Sequence, residues 1–287
     1  MSAGNETADA SEPRRFLSSE VGTRIQSGLV LAATVLFALV AGGWLFAAAW
    51  LAAAIVGACE WIAMSRTEPA QPLMLVNVAL LAAVSLAVQG GTTFWTVAAL
   101  VVLGAVAVVW LAHGADGRRN ALGGFLGAMV IGLVPSALRD DPAIGIIGPA
   151  WMFAIVWVTD IAAYFTGRSL GGPKLMPRVS PKKTWSGALG GLLGGTLAGL
   201  GVALVARKYG WSELATLPLA VILVASAAAS VVSQAGDLVE SALKRRYGVK
   251  DSGQSIPGHG GIMDRLNGFF AVAALVGLYL VARHALA

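Results

Sequence analysis

The sequence predicts an all-α polytopic membrane protein of about nine transmembrane helices, with its amino terminus and a polar cleft on the cytoplasmic side. Three observations carry this expectation. The chain is 57% hydrophobic and 12% charged, with a mean hydropathy of +0.75. A soluble domain carries about 25% charged residues, so this chain has too little charge to cover a water-facing surface. Apolar runs long enough to cross a bilayer follow one another along most of its 287 residues. Lys and Arg, finally, fall almost entirely on alternate connections, as the positive-inside rule requires.

Taken in order, residues 1–24 are polar and read as a disordered cytoplasmic tail. The long polar lead favours an uncleaved first helix over a signal peptide. Spans follow at 26–42, 44–64, 73–89, 92–112, 121–138, 144–167, 185–206, 214–236 and 262–284. The fifth is Gly-rich, holds Pro135, and is open to a re-entrant reading. With the amino terminus inside, only Arg139, Arg207, Lys208 and Arg283 of the 20 Lys and Arg fall outside. Both long polar loops, 168–184 and 237–261, are then cytoplasmic. The net charge of +5 is thus a property of loops facing anionic lipid rather than a nucleic-acid footprint. Cys59 is the single cysteine, so no intrachain disulfide can form. In the seventh span Gly187, Gly191, Gly195 and Gly199 recur every fourth residue, which makes a smooth face for close helix packing. No internal repeat is evident, which argues against an inverted-repeat transporter.

The polar residues that remain cluster in two places. In the sixth span Asp160 sits deep in an apolar helix, with Tyr164 one turn on. An ionisable residue at that depth is either a functional group or one half of a structural ion pair. Gly167, Gly171 and Gly172 follow with Arg168 and Lys174. Backbone N–H groups and cations of this kind suit an anion, although the Walker spacing is missing. In Ser180-Pro181-Lys182-Lys183-Thr184-Trp185, Pro181 is placed in the first turn of the seventh helix with Ser180 as its N-cap. Such a helix start is an anion site, or plain interfacial anchoring with Trp185 as a belt residue.

The second cluster runs from Ser233 to Asn267. Continued helix would put Ser233, Asp237, Glu240, Ser241 and Lys244 on one stripe. Two carboxylates with hydroxyls on one face suit a hard cation such as Mg2+; a water-filled cleft or internal pairing with Lys244 is the plainer alternative. Gly258-His259-Gly260-Gly261 allows close backbone approach to a ligand. Asp264 opens the last span, placed to meet Asp237 from the next helix. With no second His at ligand spacing and no Cys pair, the pattern is not that of zinc. Acids that need a cation and cations that need an anion are both satisfied by a phosphate compound with Mg2+, and phosphoryl or nucleotidyl transfer to a lipid follows.

The run SALKRRYGVKDSGQSIPGHGGIMDRLN closely resembles the carboxy-terminal motif of the integral membrane CDP-diacylglycerol synthases (phosphatidate cytidylyltransferases). The upstream GRSLGGPKLMPRVSPKKTWSG is similar to their second conserved segment. The resemblance implies transfer of a cytidylyl group from CTP to phosphatidate in phospholipid biosynthesis, in the plasma membrane. It implies a Mg2+ requirement, with a second cation allowed, and a homodimer. It implies metal ligation by Asp237 and Asp264. Lys244, Arg245, Lys250, Asp251, His259 and Arg265 would belong to the catalytic group. Asp160, Lys174, Ser180, Lys182, Lys183, Thr184 and Ser241 would bind substrate. Residues 25–142 would then be amino-terminal and middle transmembrane helices, and 143–287 the catalytic region. Ser186 and Asn267 stand where the family usually has acids. A polyprenol-type lipid kinase is the alternative with the same substrate classes, and an anion transporter is a more distant one.

Overall fold

The computed structural model describes residues 12–212, 216–258 and 260–286. Among them are nine α-helices and one short antiparallel hairpin: α1 (Glu12–Ala41), α2 (Gly43–Ser65), α3 (Ala70–Gln89), α4 (Phe94–Leu111), α5 (Gly114–Asp140), α6 (Ile147–Leu170), β1 (Lys174–Met176), β2 (Ser180–Thr184), α7 (Trp185–Tyr209), α8 (Leu219–Arg246) and α9 (Met263–Leu286). Eight of these helices, α2 to α9, are long and apolar enough to cross a membrane, so the chain is a multi-pass integral membrane protein. The first of the nine expected spans is the exception: α1 carries only the shorter apolar run Gln26–Ala41. The helix also reaches back to Glu12, into the segment expected to be a tail.

The fifth span is one continuous helix, α5, with Pro135 inside it. Phe125, Ala128, Met129 and Ile131 bury its inner face. Trp50 of α2 stacks on Phe153 of α6 and Phe269 of α9, with ring centroids 6.0 and 4.6 Å apart. This aromatic stack joins the amino-terminal helices to the last ones. At one end of the bundle Arg283 pairs with Asp141 at 2.8 Å, and Arg139 donates to the Leu39 carbonyl at 3.1 Å. The opposite end holds the hairpin, the end of α8 and the start of α9.

The segment 180–184 differs from the expectation. Ser180 does not cap α7, and Pro181 is not in its first turn. Both lie in β2, paired with β1 in the register Lys174↔Thr184 and Met176↔Ser180. The helix begins at Trp185, and its N-cap is Thr184, whose Oγ1 accepts from the Gly187 N–H at 3.2 Å. A hydroxyl three residues before that N–H completes the cap, so β2 pairing and the Thr184 cap together move the helix start.

The glycine stripe of α7 packs as expected. α6 and α7 form the most extensive helix pair, and a Cβ at Gly195 would lie 2.1 Å from Thr159 Oγ1 and 2.9 Å from Ser230 Oγ. One at Gly199 would lie 2.3 Å from Ser226 Oγ. The hydroxyls thus fill the space that the glycines leave, and Thr159 and Ser230 hydrogen-bond to each other at 2.8 Å. Gly195→Leu should overpack this three-helix seam and destabilise the protein by about 1–3 kcal/mol or more, read as a lower unfolding temperature in detergent. Gly201→Ala, at a position with nothing within 4 Å of the added Cβ, should be neutral or stabilising by about 0.5–1 kcal/mol.

Candidate active site

Two packing features bring the polar residues together. On the α8–α9 side, a Cβ at Gly236 would lie 2.5 Å from Ala271 Cβ and 2.9 Å from the Asn267 carbonyl. A Cβ at Gly268 would lie 2.4 Å from Ser233 Oγ. The two helices therefore cross almost backbone to backbone, and the side chains on either side of the crossing meet. Asn267 Nδ2 donates to Asp237 Oδ1 at 3.0 Å. One to two turns further along α8, Lys244 Nζ reaches Asp264 Oδ1 at 2.5 Å and Glu240 Oε1 at 3.3 Å. On the α6–α7 side, Gly167 and Gly187 face each other, with a Cβ on either within 3.3 Å of the other's Cα. Ser186 donates to the Gly171 carbonyl and so fastens the turn after α6.

Between these two packed pairs lies a cleft of about 630 Å³, within the usual range for small-ligand sites. Asp160, Tyr164 and Arg168 line it from α6, and Gly171, Gly172 and Lys174 from the turn that follows. Lys182, Lys183 and Thr184 line it from β2, and Gln234 and Asp237 from α8. The Arg168 guanidinium donates to the Tyr164 hydroxyl at 2.7 Å. Lys183 forms an ion pair with Asp237, so the hairpin is tied by charge to the α8–α9 crossing.

The expected site residues therefore divide into groups. Asp160, Lys174, Lys182, Lys183, Thr184 and Asp237 share the cleft. Lys244 and Asp264 form a second, more enclosed pair behind it, with side chains 14% and 6% exposed. Ser241 is half-buried on α8 and Ser180 half-buried on β2, and neither lines the cleft. Arg245 on α8, Arg265 on α9, and Lys250 and Asp251 on the connecting loop are exposed. His259 lies outside the described residues. Asp237 meets Lys183 and Asn267, and Asp264 meets Lys244 and the loop before α9.

Sequence reasoning missed Glu60. It is 7% exposed on α2, and its carboxylate accepts from Ser252 Oγ at 3.0 Å, from Ser255 Oγ, and from the backbone N–H groups of Ile262 and Met263 at 2.9 and 3.0 Å. The signal available was a lone acid in an apolar span. Its partners were not legible, because two are backbone groups some 200 residues away.

The oxygens present fit a hard divalent cation. Among the described residues no three His, Cys, Asp or Glu side chains are grouped as a ready-made metal cage. Mg2+ does not need one: it keeps several waters and takes one or two carboxylates beside substrate phosphates. Asp237 and Asp264 offer oxygen donors on facing helices. Both carboxylate oxygens of Glu240 are buried without a hydrogen bond, with Lys244 as their ion-pair partner. A buried carboxylate with its lone pairs unfilled leaves capacity for a further cation.

Comparison with known proteins agrees along nearly the whole chain. The model of the cytidylyltransferase family matches residues 22–282. The phosphatidate cytidylyltransferase of Brucella suis is 39% identical over 266 residues, covering 91% of this chain and 93% of the relative. That of Haemophilus influenzae is 32% identical over 284 residues, covering 86% of this chain and 94% of the relative. That of Bacillus subtilis is 48% identical over 120 residues, covering 41% of each. The match spans both the α6–α7 cleft and the α8–α9 crossing, and the chain belongs to the integral membrane cytidylyltransferase family.

Proposed function

We propose that this protein transfers a cytidylyl group from CTP to phosphatidate, giving CDP-diacylglycerol and pyrophosphate. The observation that carries the proposal is the family match from residue 22 to 282, with named phosphatidate cytidylyltransferases aligned over nine-tenths of their own length. The cleft supports it chemically. Arg168, Lys174, Lys182 and Lys183 gather at one mouth, as a polyphosphate needs. The positive dipole end of α7 lies beside them. The outer faces of α6 and α7 carry exposed Ile161, Phe165, Leu189 and Leu193, so a lipid substrate can approach from the bilayer.

The mechanism follows from the charges. The nucleophile is a phosphate oxygen of phosphatidate, attacking the α-phosphorus of CTP in line. A phosphomonoester has a second pKa of about 6 and is mostly ionised at neutral pH, so no general base is required. The barrier is repulsion between two polyanions. Lys174, Lys182 and Lys183 neutralise phosphate charge at the hairpin, and Lys244, Arg245, Lys250 and Arg265 do so at the α8–α9 end. Thr184 and Ser180 hold the hairpin that presents the lysines, and Ser241 offers a hydroxyl beside Asp237. Asp160 lines the cleft with the hairpin lysines and takes part in binding substrate there. Asp237 and Asp264 would hold Mg2+, with Glu240 close by and a second cation allowed. When bound, the ion would screen the reacting phosphates and stabilise charge on the departing pyrophosphate. We further place the cleft and the amino terminus on the cytoplasmic side, where CTP is, with 143–287 as the catalytic region of a homodimer.

Incubation of purified protein with phosphatidate, Mg2+ and CTP labelled in the base should place label in the lipid extract. Label that enters lipid only from the γ-phosphate would make the protein a kinase and contradict the proposal. Asp237→Asn and Asp264→Asn should each nearly abolish product formation at normal expression, a loss larger than the about 3–4 kcal/mol of a single lost oxyanion donor. Wild-type turnover in either would contradict the assignment of the acids.

A further inference from the structure

Glu60 lies outside both substrate-facing groups, yet its carboxylate is as heavily hydrogen-bonded as that of Asp264, with four donors within reach of each. A buried acid in a membrane helix is costly unless its oxygens are satisfied. Four donors satisfy this one: three from the loop between α8 and α9, and the N–H of Met263, the first residue of α9. The loop is shaped to reach it. A Cβ at Gly253 would lie 2.8 Å from Glu60 Oε1, and one at Gly261 would lie 2.5 Å from Glu60 Oε2 and 2.1 Å from Ser252 Oγ. Neither position has room for a side chain.

The same loop grips Asp264. The N–H groups of Ser252 and Gly261 donate to Asp264 Oδ2 at 2.8 and 2.9 Å, which leaves Oδ1 facing Lys244. Consecutive N–H groups are thus shared between two acids: Gly261 serves Asp264, while Ile262 and Met263 serve Glu60. The Ser252 hydroxyl stands 3.0 Å from both carboxylates. It has a single proton, so it donates to one of them at a time, and its position ties the two together. A cap needed only to start α9 would come from a nearby Ser, Thr or Asp. Here the nearby Ser255 Oγ shares the Ile262 N–H at 3.0 Å, but the Met263 N–H is taken by Glu60 from α2.

We propose that Glu60 is a positioning residue of the active site: by holding the loop before α9 it fixes the direction in which Asp264 presents Oδ1, the oxygen paired with Lys244. The inference rests on the reading of Asp264 as a cation ligand. Outer-shell partners of this kind typically set metal affinity or activity by 10–100-fold. Glu60→Gln keeps the shape but turns a donor toward donors, so the loop loses part of its anchor.

The test uses the full-length protein in detergent, with Mn2+ as a probe followed by electron paramagnetic resonance. Turnover and the KM for CTP are measured alongside. Glu60→Gln should weaken Mn2+ binding about tenfold and lower turnover about as much, with the KM for CTP within about threefold of wild type. Ser255→Ala, which removes one donor and leaves the carboxylate in place, should show the same pattern at about two- to fivefold. Folded Glu60→Gln that binds Mn2+ as wild type does would overturn the proposal, even with slower turnover. If Glu60→Gln does not fold, Ser255→Ala decides by the same criterion. A wild-type protein that makes no cytidylyl lipid would overturn the functional reading instead, and the Mn2+ comparison would still decide the role of Glu60.

Discussion

The close crossing of α8 and α9 is the constraint on which the rest depends. It exists because Gly236 and Gly268 carry no side chains where the helices meet. A helix pair separated by ordinary side chains stands 8–10 Å apart, and glycines at the crossing let the backbones approach more closely. With the glycines in place, Asn267 bonds Asp237 and Lys244 bonds Asp264. These contacts are also what permit four charged residues, Asp237, Glu240, Lys244 and Asp264, to sit at a membrane boundary. Removing one partner of such a pair would leave an uncompensated charge at low dielectric.

Around that crossing the structure adds two further anchors, from opposite directions. The β1–β2 hairpin arrives from the α6–α7 pair and closes on Asp237 through Lys183. Glu60 arrives from α2 and closes on the loop that leads into α9. The acids are thus held from three sides by elements far apart in sequence. The lysines paired with them are the cations that a phosphate substrate would otherwise attract. On the proposed function, substrate binding and the ion pairs would compete for the same ammonium groups, and a divalent cation would take over the carboxylates that the lysines release.

Much of this was legible in the sequence because it is carried by side-chain identity at helical spacing. The stripe through Asp237, Glu240 and Lys244 needs only 3.6-residue periodicity, and the α7 glycine stripe needs only a four-residue repeat. Asp160 announced itself as an acid in an apolar run and does line the cleft. The hairpin was not legible. Its strands are three and five residues long, hold three Lys and a Pro, and are too short for a period to declare itself. Glu60 was hidden for a different reason. Its partners are serines and main-chain N–H groups, which every loop possesses, and only the fold brings them to α2. The exchange of expected partners, with Asp237 meeting Asn267 rather than Asp264, comes from the axial offset of the two helices, which a sequence does not record.

The central claim is that one site, built on the α8–α9 acids and the hairpin lysines, takes the cation and the nucleotide phosphates together. It is tested most directly by electron–nuclear double resonance of Mn2+ bound to the purified protein with CTP. The account predicts phosphorus couplings from the CTP phosphates on a protein-bound Mn2+, lost in Asp237→Asn. Mn2+ that binds the wild-type protein without phosphorus coupling, or that keeps that coupling unchanged in Asp237→Asn, would contradict it.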